Sequence, residues 1–78
     1  MIYLTLNQLK KGTLAVVVDL KGGHHLVSKL NAMGIRIGKE ITKVSDSFLR
    51  GPVTVEVDRA KVAVGHGMAN KIFVKMVE

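Results

Sequence analysis

The sequence predicts a mainly β protein: a small, strongly curved sheet of five short strands closing on itself, with one α-helix over about residues 24–33 and a short C-terminal helical turn. Three observations carry that prediction. Valine-rich runs recur along the chain, continuous at Leu14–Val18 and alternating at Val53, Val55 and Val57. Glycine and proline stand between those runs, at Gly12, Gly22-Gly23, Gly34, Gly38, Gly51-Pro52 and Gly65. The apolar period lengthens to that of a helix in one place, between His24 and Met33.

Taken in order, Asn7 is placed to cap one short turn through Leu9, which Gly12 ends. Leu14-Ala15-Val16-Val17-Val18 reads as a strand buried on both faces. Lys21-Gly22-Gly23 breaks it. Leu26, Leu30 and Met33 fall at i, i+4 and i+7, with Val27 beside them, and make one apolar helical stripe. Gly34 follows where a left-handed C′ residue is wanted, and Ile35 stands where it contacts Leu30 in a Schellman stop.

Ile37-Gly38 reads as the centre of a type II turn. Ile41 to Val44 is a second strand, and Ser45 to Gly51 a loop that is polar apart from Phe48 and Leu49. Pro52 opens the next strand, where its missing N–H is tolerated. Asp58-Arg59-Ala60 turns the chain, and Val62 and Val64 continue the inner face in a hairpin partner. Gly65-His66-Gly67 interrupts, Met68 to Lys71 forms one helical turn, and Ile72, Val74 and Met76 alternate to the end.

Composition narrows the function classes. At 78 residues the chain is read as one small domain, 1–78, whose aliphatic residues are largely committed to packing. It has no cysteine, which excludes disulfides and thiolate metal sites. The longest unbroken apolar run, Leu14–Val18, falls far short of the roughly 20 residues that span a bilayer. Met1–Gly12 has neither the cationic start nor the apolar stretch of a signal peptide, so the expected location is cytoplasmic. Twelve Lys/Arg against six Asp/Glu leave a formal charge of +6, distributed along the whole chain. Such a field attracts phosphate, anionic lipid or an acidic partner. The stacking platform of a nucleic-acid barrel is missing, since Tyr3, Phe48 and Phe73 sit in separate segments, and no specific nucleic acid is expected.

Catalysis finds no support: Asp19, Glu40, Asp46, Glu56 and Asp58 are scattered, with no carboxylate pair, nucleophile with base, or cofactor motif. Gly22-Gly23 lacks the pattern of a phosphate loop and reads as a tight turn. His24, His25 and His66 are the candidate ligands for Fe²⁺ or Zn²⁺, with no cofactor required, although adjacent helical histidines point about 100° apart. The candidate partner surface joins the turn from Gly34 to Lys39 (Gly34, Ile35, Arg36 and Gly38) to Phe48 and Leu49, with Phe73 and Val77 beside them. A homodimer through a barrel edge, in particular the valine-bearing last strand, is a further expectation.

Gly22-Gly23, Leu26, Leu30, Met33-Gly34-Ile35, Gly38 and Ile41 resemble the L…L..MG(I/L)..G pattern of FeoA domains. Gly51-Pro52-Val53, Val55, Val57, Val62-Ala63-Val64, Ala69, Ile72 and Val74 extend the resemblance, which runs from about Leu6 to Val77. Ile37 stands where the family often has Pro, Ala32 where it often has Asp, and Gly65-His66-Gly67 where charged residues are usual. The resemblance implies an SH3-like barrel and a cytosolic accessory of ferrous-iron uptake. Such a protein docks on and modulates a FeoB-type membrane transporter, which recruits it to the inner face of the membrane. FeoA-like domains also end DtxR-type metal-dependent repressors, but no DNA-binding helix-turn-helix stands in this chain. The alternatives from the residues themselves are a basic small-barrel nucleic-acid-binding protein and a His-based transition-metal-binding protein.

Overall fold

The computed structural model describes residues 3–46 and 48–77. It is mainly β, as the alternating valines require, with six strands and two helices: β1 Leu4–Thr5, β2 Leu14–Leu20, α1 His24–Ala32, β3 Glu40–Ser45, β4 Val53–Val57, β5 Ala60–Val64, α2 His66–Ala69 and β6 Ile72–Met76. The strands form one sheet in the order β1-β6-β2-β3-β4-β5, every neighbouring pair antiparallel. The sixth strand, absent from the sequence reading, is the two-residue β1, whose Leu4 and Thr5 pair with Val74 and Phe73. Two residues are too few to show a period of 2, so nothing in the sequence separates them from a loop.

Register shifts between Val17 and Asp19 in β2, and between Lys43 and Ser45 in β3, bend the sheet. Its inner face buries Ala15, Val17, Leu20, Ile41, Val53, Val55, Val57, Val64, Ile72 and Val74. β2 is therefore not buried on both faces: Val16 and Val18 are half-buried and Leu14 is exposed. The strand after α2 also departs from expectation. Ile72 and Val74 face the core but Met76, past the end of the packed region, is exposed. β6 lies between β1 and β2, so the last strand has no free edge with which to form a dimer; the edges of the sheet are β1 and β5.

The segment before β2 is closed by its own side chains. Thr5 Oγ1 accepts from the Gln8 N–H at 3.3 Å while Gln8 Oε1 accepts from the Thr5 N–H at 2.9 Å. That reciprocal pair is a capping box, and Thr5 rather than Asn7 caps the turn. Leu6 and Leu9 drop from it into the core. At the other helix, Gly65 rather than a later residue is the N-cap, so His66 and Gly67 belong to α2 instead of interrupting the chain. The Ala69 N–H donates to the Gly65 carbonyl at 2.9 Å, and buried Ala69 anchors the turn against the core.

The end of α1 agrees with its sequence. The Ile35 N–H donates to the Leu30 carbonyl at 2.9 Å and the Gly34 N–H to the Asn31 carbonyl at 3.0 Å, the two bonds of a Schellman motif. Gly34 has φ +93°, and Leu30 and Ile35 are both fully buried. A Cβ at Gly34 would lie 3.6 Å from Val57 Cγ1, an ordinary contact, so the demand for glycine is conformational rather than steric. Two different costs follow. Leu30→Ala should destabilise the protein by about 3 kcal/mol through loss of buried volume. Gly34→Ala should cost about 1–2 kcal/mol through its left-handed backbone alone. Urea unfolding of both variants checks the order; a Gly34→Ala loss as large as that of Leu30→Ala would show that packing, not φ, selects the glycine.

Candidate functional site

The most tightly held polar group in the described structure is Lys43. It follows Ile41 by two positions in β3 and shares its inward face, leaving the residue 1% exposed. Its Nζ donates to the carbonyl oxygens of Leu9 at 2.8 Å and Asn7 at 3.1 Å, and lies 2.6 Å from Asp46 Oδ1. The ammonium thus satisfies the carbonyls of the capped turn from inside the barrel. In the sequence Lys43 is one of the twelve cations distributed along the chain, and its two-residue phase with Ile41 is the signal for an inward position. Asn7, freed from capping, donates through Nδ2 to the His66 carbonyl at 3.1 Å and to Asn70 Oδ1 at 2.7 Å, tying the turn to α2.

Strand direction divides the remaining candidate residues between two ends of the sheet. One end gathers the start of β2, the end of β3, the start of β4, and the ends of β5 and β6. The opposite end gathers the end of β2, the start of β3, the β4–β5 hairpin and the start of β6. Phe48 and Leu49 stand on the loop after β3, at the first end, 81% and 85% exposed. Gly34, Ile35, Arg36 and Gly38 precede β3 and lie at the second. At about 3.3 Å per strand residue, β3 holds the two groups some 20 Å apart. The single partner surface expected from the sequence is therefore two surfaces.

Ile35, at 0% exposure, is a core residue closing α1 and presents no side chain to a partner. The exposed apolar residue of that turn is Ile37, at 63%. The turn itself is rigidly placed. The Lys39 N–H donates to the Arg36 carbonyl at 3.0 Å with Gly38 at φ +92°, as a type II turn requires. The Gly38 N–H donates to the Val17 carbonyl at 2.7 Å, and the Val17 N–H to the Lys39 carbonyl at 2.9 Å, so both strands of the turn are held to β2. Lys39 Nζ reaches Asp58 Oδ2 at 2.8 Å across to the β4–β5 hairpin. That hairpin turns on Asp58 and Arg59, both at positive φ, the geometry of a type I′ turn. At the same end Asp19 is held below the usual carboxylate range, chiefly by its hydrogen bond from Lys21 Nζ at 3.0 Å.

The histidines do not converge. His24 and His25 open α1 beyond the end of β2, whereas His66 opens α2 beyond the end of β5, at the other end of the sheet. Among the described residues no three His, Asp or Glu side chains are gathered closely enough to hold one metal ion, so the expected three-histidine site is not formed. His66 Nδ1 and Asn7 Oδ1 are buried with no hydrogen-bond partner among those residues. Among the described residues no helix is long and apolar enough to cross a membrane.

The FeoA domain model matches residues 4–76. The chain is 30% identical over 74 residues to the Campylobacter jejuni protein described as "Putative Fe(2+) transport protein A", covering 95% of this chain and 100% of that one. The crystal structure of an iron uptake regulatory protein, FeoA, superposes with a TM-score of 0.89 at 29% identity, over 97% of this chain and 100% of that one. A manganese-dependent transcriptional repressor shares the fold at a TM-score of 0.88 and 18% identity; the match covers 96% of this chain and 42% of the repressor.

Two measurements check the site geometry. Lys43→Met should cost about 2 kcal/mol by stranding the turn carbonyls, whereas Asp46→Asn, whose carboxylate is exposed, should cost under about 1 kcal/mol. Equal losses would make the ion pair, not the carbonyl bonds, the source of stability. In an anaerobic Fe²⁺ titration followed by NMR, His24, His25 and His66 should show no common stoichiometric shift; a joint endpoint for all three would restore the shared site.

Proposed function

The chain belongs to the FeoA domain family, and on that premise we propose that it is an accessory protein of ferrous-iron transport that works by binding, not by catalysis. Its partner in this reading is a FeoB-type transporter, on whose cytosolic face it docks and whose activity it modulates. The protein is cytoplasmic and reaches the inner face of the membrane through that partnership.

The observation that carries the reading to particular residues is the turn between α1 and β3. Ile37 stands exposed on a backbone fixed to β2 by two hydrogen bonds, with Arg36 beside it and the Lys39–Asp58 ion pair at its flank. A rigid apolar side chain beside an arginine, rimmed by charges of both signs, suits a protein partner: little conformational entropy is lost on docking, and the rim fixes orientation. Gly34 and Ile35 support this turn from within; Phe48 and Leu49, at the other end, do not join it.

The test is binding of the full chain to the cytosolic portion of the transporter. Ile37→Glu should weaken the complex by about tenfold or more while the thermal midpoint stays near that of the parent. In cells limited for iron, the same variant should fail to restore ferrous-iron uptake to a deletion strain. Unchanged binding and full restoration by Ile37→Glu would move the docking surface elsewhere; normal uptake in the deletion strain itself would end the reading.

A further inference from the structure

The end of the sheet opposite the docking turn has a composition of its own. Of the seven large apolar residues that stand exposed among the described residues, six are at this end: Tyr3, Leu14, Phe48, Leu49, Met76 and Val77. Register places them together. Ala15 pairs with Met76, the Val77 N–H donates to the Leu14 carbonyl at 3.2 Å, and Tyr3 precedes Leu4, the partner of Val74. The cations of the same end are Lys10, Lys11, Arg50 and Lys75, all exposed. Lys10 and Lys11 are brought there because the Gly12 N–H donates to the Lys43 carbonyl at 2.8 Å. Among the described residues the one acid of this end is Asp46, and its carboxylate is paired with Lys43. Asp19, Glu40, Glu56 and Asp58 are toward the opposite end.

Phe48 and Leu49 are the most exposed of the six. The Gly51 N–H donates to the Phe48 carbonyl at 2.9 Å, closing a turn in which Leu49 and Arg50 have φ +52° and +62°. A Cβ on Gly51 would stand 2.9 Å from the Phe48 carbonyl oxygen, so the turn closes because that residue is glycine. The result is a tight turn at the tip of the loop, carrying two adjacent exposed apolar side chains, with Arg50 next to them.

We propose that this tip enters the interface of an anionic lipid bilayer, with Lys10, Lys11, Arg50 and Lys75 on the headgroups. Apolar side chains that project from a cation-rich face are the ingredients of interfacial binding: insertion removes them from water while the anionic surface attracts the ring around them. Charge chooses the occupant. Among the described residues this end carries four exposed cations and one acid, which is paired with Lys43, where the docking turn is flanked by the Lys39–Asp58 ion pair. Lipid contact here goes beyond the transporter reading and stands without it. It also leaves Ile37 on the face turned away from the bilayer.

The experiment uses the full chain and vesicles free of any protein partner. The protein should sediment with phosphatidylglycerol-containing vesicles, remain in solution with phosphatidylcholine alone, and release as salt is raised. Phe48→Ser with Leu49→Ser keeps the net charge and should lower the bound fraction by about tenfold, while Ile37→Ser should leave it unchanged. Because the chain has no tryptophan, Phe48→Trp reports the tip alone; its emission should shift to the blue with anionic vesicles and be quenched by brominated lipid, and Ile37→Trp should do neither. Failure to sediment, equal sedimentation of the double-serine variant, or an unmoved Phe48→Trp spectrum would overturn the proposal. So would loss of transporter binding, and not of vesicle binding, in the double-serine variant, which would make the tip a protein contact.

Discussion

The arrangement depends on one ammonium group inside the sheet. In the capped turn the Thr5 and Leu6 carbonyls accept backbone N–H groups, whereas those of Asn7 and Leu9 meet none among the described residues. Lys43 supplies those donors from β3, and its aliphatic stem runs through the core that Leu6 and Leu9 complete. The buried cation is compensated chiefly by those two carbonyl oxygens, and Asp46, whose carboxylate is exposed, meets the same nitrogen from the solvent side. Charge is thus neutralised at the boundary of the core, and the turn, β3 and the loop after it are fixed to one another by a single atom. The loop so fixed is the one that carries Phe48 and Leu49, which connects the inside of the fold to its most exposed surface.

Most of the fold was legible because it is written in local patterns. The alternating valines of β4, the helical stripe of α1 and the Met33-Gly34-Ile35 stop each need only their own neighbours to be read. What escaped was set by contacts distant in sequence. β1 is a strand only because β6 offers it a partner. His66 is helical because Ala69, three residues on, is pulled into the core. Lys43 looks like any surface lysine until the turn it serves, more than thirty residues earlier, is placed beside it. The candidate site was legible in its residues but not in its geometry. Arg36, Gly38, Phe48 and Leu49 were all singled out, yet β3 runs between them, and Ile35 proved to be part of the wall that holds the turn in place.

The formal charge of +6 also changes meaning once the strands are oriented. Spread along the sequence it looks even. On the structure, four of the described acids, Asp19, Glu40, Glu56 and Asp58, lie toward the docking end, where Lys39 and Lys21 already answer Asp58 and Asp19. Among the described residues the opposite end keeps its cations with one acid, Asp46, which is paired with Lys43. The acids are therefore unevenly placed along the strand direction, while cations stand at both ends.

The position of β6 carries a consequence for assembly. Ile72–Met76 is inserted between β1 and β2, two strands that precede it by more than fifty residues, and it closes the core with Ile72 and Val74. Until that segment is available, β1 has no partner and one side of β2 is an open edge. The β3-β4-β5 meander can form early, since its pairings span short loops. Completion of the fold waits for one long-range event, the entry of a five-residue strand into a gap with an edge on either side. Between the completion of β5 and the entry of β6 the chain is a meander with an unfilled slot, the state in which another strand of similar sequence could most readily take the place of its own.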